Sequence, residues 1–290
     1  MASSTDAGAF ARLDRALFFA AIRPLFGSMT QSQVDGIGRL LDAFLLHALL
    51  LDRRHLAYIL ATSFHETGRR MMPVREGFAT SDAAARRAVA ALFAAGKISR
   101  NYALPNARGL SFYGRGDVQL TFEANYVAMG KLLGLDLAGN PDLALDPDVS
   151  AWILIEGVTR GVSIKGDFTG RALEDFIAGD RCDYVGARRT VNGTDKAAAI
   201  AGYAERFEAA LVAGGMPLTA ARMPGALGAG PPPLAAPPRA ASPAPKAPAL
   251  PQPALTGGLL RSGAQATGGA TRGLLNVLFA GIHNALARKV

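Results

Sequence analysis

The chain of 290 residues changes character at Gly214, and that break limits what it can fold into more than any other feature. Between residues 217 and 253 lie 12 of its 17 prolines, interleaved with alanine. Proline fixes φ and removes a backbone donor, so such a stretch cannot pack a core and is expected to run as a semi-rigid spacer. Residues 1–213 are therefore expected to form one packed domain, 214–256 a disordered Pro/Ala-rich linker, and 257–290 a separate terminal element. Beyond Gly257-Gly258, Leu274, Leu275, Leu278, Ile282, Ala285 and Leu286 recur at helical spacing, with Asn276, His283, Arg288 and Lys289 on other faces. That pattern predicts a short amphipathic helix with a basic end, suited to lying on a membrane or docking on a protein.

Charge divides at the same place. Residues 214–290 carry seven Lys and Arg and no Asp or Glu, which leaves 24 basic against 23 acidic residues in 1–213. The packed part is nearly neutral, so no nucleic-acid groove is expected. The tail invites an anionic partner such as a membrane surface or lipopolysaccharide, through residues 257–290. Cys182 is the single cysteine, so no intramolecular disulfide can form, as suits a chain folding in a reducing cytoplasm. Asp6, Arg12, Asp14 and Arg15 interrupt the N-terminus and the apolar run at 17–22 is short, so no secretion signal is expected. The protein would then reach its site of action by release or delivery. The apolar run at 43–51 is broken by His47 and falls far below the ~20 residues of a membrane span.

Within 1–213 the signals are mainly helical. Thr30 and Gln33 form a capping box that opens a helix through Val34, Ile37, Leu40, Leu41, Phe44 and Leu45, one apolar stripe at spacings of three and four. Asp52 caps a second helix, which leads through Leu56, Ile59, Leu60 and Ser63 to Glu66 and ends at Gly68. Residues 71–80, with Pro73 and Gly77, read as an extended or turn segment that carries Glu76. Helices are further expected over 82–95, from Thr121 through Leu133, over 146–161, 173–177 and 195–212, with a loop over 99–117.

Glu66 and Glu76 thus project from different elements. Hydrolysing a glycosidic bond needs two carboxyl groups facing each other, one a protonated acid and the other a base or nucleophile. A carboxyl in the last turn of an apolar helix is partly desolvated, and desolvation raises a carboxyl pKa. The bland alternatives are a helix-end glutamate bonding a loop, for Glu66, and a surface ion pair with Arg75, for Glu76.

Three ordered motifs accompany the pair: Ser63-Phe64-His65-Glu66-Thr67, then Tyr113-Gly114-Arg115-Gly116-Asp117-Val118-Gln119-Leu120-Thr121 with Asn125-Tyr126, then Arg189-Thr190-Val191-Asn192-Gly193. Together they resemble glycoside hydrolase family 19, the chitinase-like and phage-endolysin-like branch of the lysozyme superfamily, over roughly residues 30–212. Asp117 stands where that family's motif has proline, and the spacing of the glutamates is close to the compact bacterial and phage forms.

The resemblance implies a mainly α, two-lobed lysozyme-superfamily domain with short extended segments. It implies an inverting mechanism with Glu66 as general acid and Glu76 as general base, whose carboxyl groups would stand ~6.5–9.5 Å apart to admit a water. It also implies a cleft in which Gln119, Thr121 and Asn125 bind N-acetyl groups and position the water, with Asn192 binding substrate. Thr121 could equally cap a helix, Asn125 be a buried amide and Asn192 an Asn-Gly turn. Tyr113 and Tyr126 offer sugar-face contacts or simply core. Arg115 either binds substrate or holds a catalytic carboxylate ionised. No cofactor is required. His47, His55 and His65 lack H-E-x-x-H spacing, so no metal site is expected, and Gly114-Arg115-Gly116 lacks the third glycine of a dinucleotide loop.

The function expected from these residues is hydrolysis of β-1,4 bonds in peptidoglycan, a muralytic role that fits the compact spacing, the lack of disulfides and the basic tail. The alternatives are a chitinase acting on N-acetylglucosamine polymers, or a non-catalytic glycan-binding component of a phage or secretion particle.

Overall fold

The computed structural model describes Phe10, residues 12–159 and residues 168–220. The expected C-terminal helix at 257–290, nearly all of the linker, and Gly161 at the end of one expected helix lie outside those residues. The described chain is mainly α, with helices α1 (Arg15–Phe26), α2 (Gln31–His47), α3 (Arg53–Glu66), α4 (Asp82–Ala94), α5 (Glu123–Leu133), α6 (Pro147–Val158), α7 (Tyr184–Ala187) and α8 (Ala197–Ala213). Three two-stranded antiparallel ribbons join distant segments: β1 (Leu51–Asp52) with β6 (Thr219–Ala220), β2 (Val74–Arg75) with β3 (Arg115–Gly116), and β4 (Ile177–Ala178) with β5 (Arg181–Cys182).

Local chemistry sets the helix starts. Thr30 and Gln33 close the expected capping box at α2, and the Asp52 carboxylate accepts the Arg54 amide at the start of α3. Asp146 caps α6, accepting the amides of Asp148 and Val149. α3 is the central element, packed along α8, with α1 also against α8 and α2 against α6. Phe64 anchors this core by edge-on contacts to Phe26 (5.0 Å) and Tyr203 (4.8 Å). Burying an aromatic or aliphatic side chain of this size contributes about 1.5–3 kcal/mol. A second, smaller cluster of Ala85, Val89, Ile98, Ala103 and Tyr113 gathers around α4. The site described below is built where these two cores adjoin.

Several elements depart from the sequence reading. α1 is a full helix, although Pro24 lies inside it; its unbroken apolar run hides the helical period. Residues 173–177 form one 3-10 turn (Leu173–Asp175) and then enter β4, rather than a helix. α5 starts after Phe122, not Thr121; the Thr121 hydroxyl donates to the Gln119 carbonyl (2.8 Å) and caps nothing. Packing also continues past residue 213, where β6 pairs with β1 and Arg53 donates to the Met216 carbonyl (2.9 Å). The start of the proline-rich segment is thereby fixed beside the first turn of α3.

Candidate active site

Glu66 is the last residue of α3, and Thr67 and Gly68 (φ +57°) turn the chain away from the helix. Its side chain is almost wholly buried, and Arg188 Nη1 donates to its Oε1 at 2.8 Å. Arg188 is itself 1% exposed. It stands in a 3-10 turn (Arg188–Thr190) that follows α7, and its Nε donates to the Asp195 carbonyl (3.1 Å). Asn192, from the same segment, donates its amide to the Arg188 carbonyl (2.9 Å). The third motif therefore reaches the Glu66 carboxylate through Arg188, one residue before the segment singled out from the sequence.

His65 lies beside this ion pair, and burial holds its pKa below the ordinary 6.5, partly offset by the charge of Glu66. The unfolded chain then binds a proton near pH 6.5 while the native chain does not, so stability rises with pH across that window. Lowering the pH through 6.5 should lower the thermal midpoint, and His65→Gln should lessen that loss. Thermal unfolding followed between about pH 5 and 8 checks it.

Glu76 comes from a separate element. β2 delivers it beside β3, in register Arg75 to Arg115 and Val74 to Gly116. Its amide donates to the Gly114 carbonyl (2.8 Å), and the Gly114 amide donates back to Glu76 Oε2 (2.9 Å). The Tyr102 hydroxyl donates to Oε1. Burial, then the charge of Glu76, pushes the Tyr102 pKa far above its ordinary value. The segments that follow the two glutamates meet: a Cβ at Gly68 would stand 2.7 Å from Phe78 Cζ.

Gln119 lies against the Glu76 grip. A Cβ on Gly114 would fall 2.8 Å from Gln119 Oε1 and 3.3 Å from Glu76 Oε2, so glycine is what lets these groups adjoin. The Gln119 amide nitrogen donates to the carbonyls of Val74 (2.9 Å) and Gly116 (3.1 Å), which fixes the orientation of its oxygen. Gln119 (φ +56°) and Phe122 (φ +73°) both hold the left-handed backbone that strains ordinary side chains. Gln119, Thr121 and Asn125 line one open pocket with Val118, Leu120, Phe168 and Val191. Asn125 Nδ2 donates to the Thr121 carbonyl (2.7 Å).

Tyr113, Tyr126 and Arg115 take a different place. All three are buried. The Arg115 guanidinium stacks on the Tyr113 ring (3.8 Å) and donates to Asp142 (2.8 Å), the Ser111 carbonyl (2.9 Å) and Asp82 (3.3 Å). The Tyr126 hydroxyl donates to the Tyr113 carbonyl (2.9 Å), and that of Tyr113 to Asp82 (2.8 Å). Both rings therefore support the wall from behind and leave no face open to a sugar, and Arg115 contacts neither Glu66 nor Glu76 through these bonds. Asn192 is buried, and its Oδ1 accepts from the Gly193 amide (2.8 Å), the geometry of an Asn-Gly turn. Among the described residues no group of three or more His, Cys, Asp and Glu is placed to hold a metal ion.

The sequence reading missed Arg188 and Tyr102, whose side chains donate to the two glutamates. The only cue to Arg188 was a second arginine beside the third motif; nothing local marked Tyr102, 26 residues from its partner.

Comparison with known proteins finds similarity to one family over part of the chain. Residues 50–155 match the model of glycoside hydrolase family 19, described as chitinase class I, the family that the motifs resemble. Chitinase 2 of Oryza sativa subsp. japonica is 37% identical over 97 residues, covering 31% of this chain and 28% of that protein. An endochitinase of Persea americana is 31% identical over 119 residues, covering 36% of each. The matched stretches thus span about a third of the length of these relatives. The crystal structure of a bacterial family 19 chitinase is 23% identical, with a TM-score of 0.36 over 69% of this chain and 95% of that one.

Proposed function

We propose that this chain is a glycoside hydrolase that cleaves β-1,4 bonds next to N-acetylglucosamine with inversion, Glu66 acting as general acid and Glu76 as general base. The observation that carries the reading is the delivery of two buried glutamates, each gripped by its own donors, from elements whose following segments meet. Glu66 is paired with Arg188 in the free chain, so it first takes up a proton, which it then gives to the glycosidic oxygen as the bond to the anomeric carbon breaks. Glu76 takes a proton from the water that attacks the opposite face. Gln119, Thr121 and Asn125 line a mostly apolar pocket beside Glu76 that would take the substrate's N-acetyl methyl group, and Asn192 lies next to Arg188.

As substrate we favour peptidoglycan. The support is the single cysteine, the compact spacing of the glutamates and the tail of seven cations without an anion. The names of the plant relatives favour the second reading, chitin. Purified peptidoglycan and chitin oligomers, digested in parallel with Glu66→Gln as control, separate the two. Muropeptides with new reducing ends support the first, and chitin cleavage alone supports the second. Binding without cleavage of either would leave a glycan-gripping module.

In the peptidoglycan reading the protein is made in the cytoplasm and acts on the cell wall after release or delivery, and residues 257–290 bring it to an anionic membrane or lipopolysaccharide. Deleting 257–290 is then expected to abolish lysis of cells from outside while activity on purified peptidoglycan stays within about twofold. Unchanged external lysis would refute the role given to the tail.

A further inference from the structure

We infer that Asp117 is a positioning residue that ties the Glu76 side of the site to the helix bearing Glu66; the inference rests on the reading of those two glutamates as the reacting pair. Asp117 sits at the tip of a tight hairpin closed by the reciprocal bonds of Arg115 and Leu120 (3.1 and 2.8 Å). Gly116 (φ +89°) turns that tip, and its missing Cβ lets Ser150 Oγ approach to 2.9 Å of where it would stand.

The Asp117 side chain is fully buried and its acceptors are all engaged from other elements. Ser63 Oγ of α3 donates to Oδ1 (2.7 Å) and Ser150 Oγ of α6 to Oδ2 (2.6 Å). Arg39 Nη2 of α2 donates to both oxygens (3.2 and 3.1 Å), and the Asp117 amide itself donates to Ser150 Oγ (2.8 Å).

Two of these links lead to the glutamates. Ser63 lies three residues before Glu66 on the same helix, hence on the neighbouring turn. On the other side, Gly116 pairs with Val74, and Gln119 donates to the Val74 carbonyl, two residues before Glu76. One path of hydrogen bonds and short backbone steps therefore runs from the Glu66 helix through Ser63, Asp117, the hairpin and Val74 to Glu76. A buried carboxylate paired with arginine is weak evidence for stability, because desolvation offsets the attraction. Its distinct effect here is to lock the relative placement of two separately delivered side chains. A proline at 117 would lose both the carboxylate and the amide donor.

The test compares Asp117→Asn and Ser63→Ala with Tyr184→Phe, which removes a hydroxyl bond to Glu208 in a part of the domain given no catalytic role. Thermal midpoints, kcat and KM are measured on whichever of N-acetylglucosamine hexasaccharide and purified peptidoglycan the full chain cleaves, at a temperature where each variant is folded. A misplacement of about 1 Å costs about 10²-fold in rate, so Asp117→Asn should lower kcat by about that factor and Ser63→Ala by about tenfold, with KM changed less than about threefold. Tyr184→Phe should leave kcat within about twofold whatever its thermal midpoint. If Ser63→Ala and Asp117→Asn, both folded, keep kcat within about twofold, Asp117 positions nothing. Glu66→Gln, run alongside, separates the two failures: full turnover in that variant would remove the reacting pair itself. A dead Glu66→Gln with active Asp117 and Ser63 variants would overturn this inference alone.

Discussion

Glu66→Gln is expected to lower kcat by about 10²–10⁴-fold while glycan binding changes little, because the amide keeps the shape but has no acidic proton to give. At about 1.4 kcal/mol per tenfold, that is roughly 3–5 kcal/mol of transition-state stabilisation. Glu76→Gln should fall as far for the complementary reason, since an amide cannot take the proton from water. The two carboxyls act as a unit, so the double variant should be little slower than either single one. Steady-state kinetics together with binding of an uncleaved oligosaccharide check this. Loss of binding in step with loss of turnover would point instead to collapse of the site.

The second large effect concerns stability. Glu66 and Arg188 have side chains only 3% and 1% exposed, so removing either charge strands the other in a poorly solvating interior. Arg188→Met is expected to destabilise the domain by about 3–5 kcal/mol, read as a shift of the denaturant midpoint. Glu66→Gln should cost less, because the amide oxygen can still accept from Arg188 Nη1. Combining Arg188→Met with Glu66→Gln should recover part of the loss, since no orphaned charge remains. Activity of Glu66→Gln must therefore be measured below its own unfolding transition.

How far the molecule was legible from its sequence depended on whether a signal was local. Thr30 with Gln33, and Asp52 before Leu56, are caps that act within one turn, and both helices begin where expected. The placement of Glu66 at a helix end and of Glu76 in a turn segment (Glu76–Phe78) that follows a short strand came from Gly68, Pro73 and Gly77 in the same way. The grouping of Gln119, Thr121 and Asn125 around one pocket was legible because all three lie within seven residues of one another.

Partners from afar were not legible. Arg188 is 122 residues from Glu66, and Asp117 bonds to Arg39, Ser63 and Ser150 across three helices. No periodicity reports such pairings, because they depend on how the helices stack. The same limit explains Arg115: the sequence marks an arginine next to a cleft motif, but only packing decides that it faces Asp142 and Asp82. Thr121 misled in another way, since its hydroxyl bonds backward to Gln119 and the helix starts at a strained Phe122 instead.

Hydrolysis by Glu66 and Glu76 with inversion is read from proton NMR of the products during the first minutes of digestion of an N-acetylglucosamine oligomer or a purified peptidoglycan fragment. New reducing ends should appear first as the α-anomer from the β-linked substrate, and Glu66→Gln and Glu76→Gln should yield no signal over the same time. Product appearing first as the β-anomer, or forming at the unmodified rate in either variant, would contradict it.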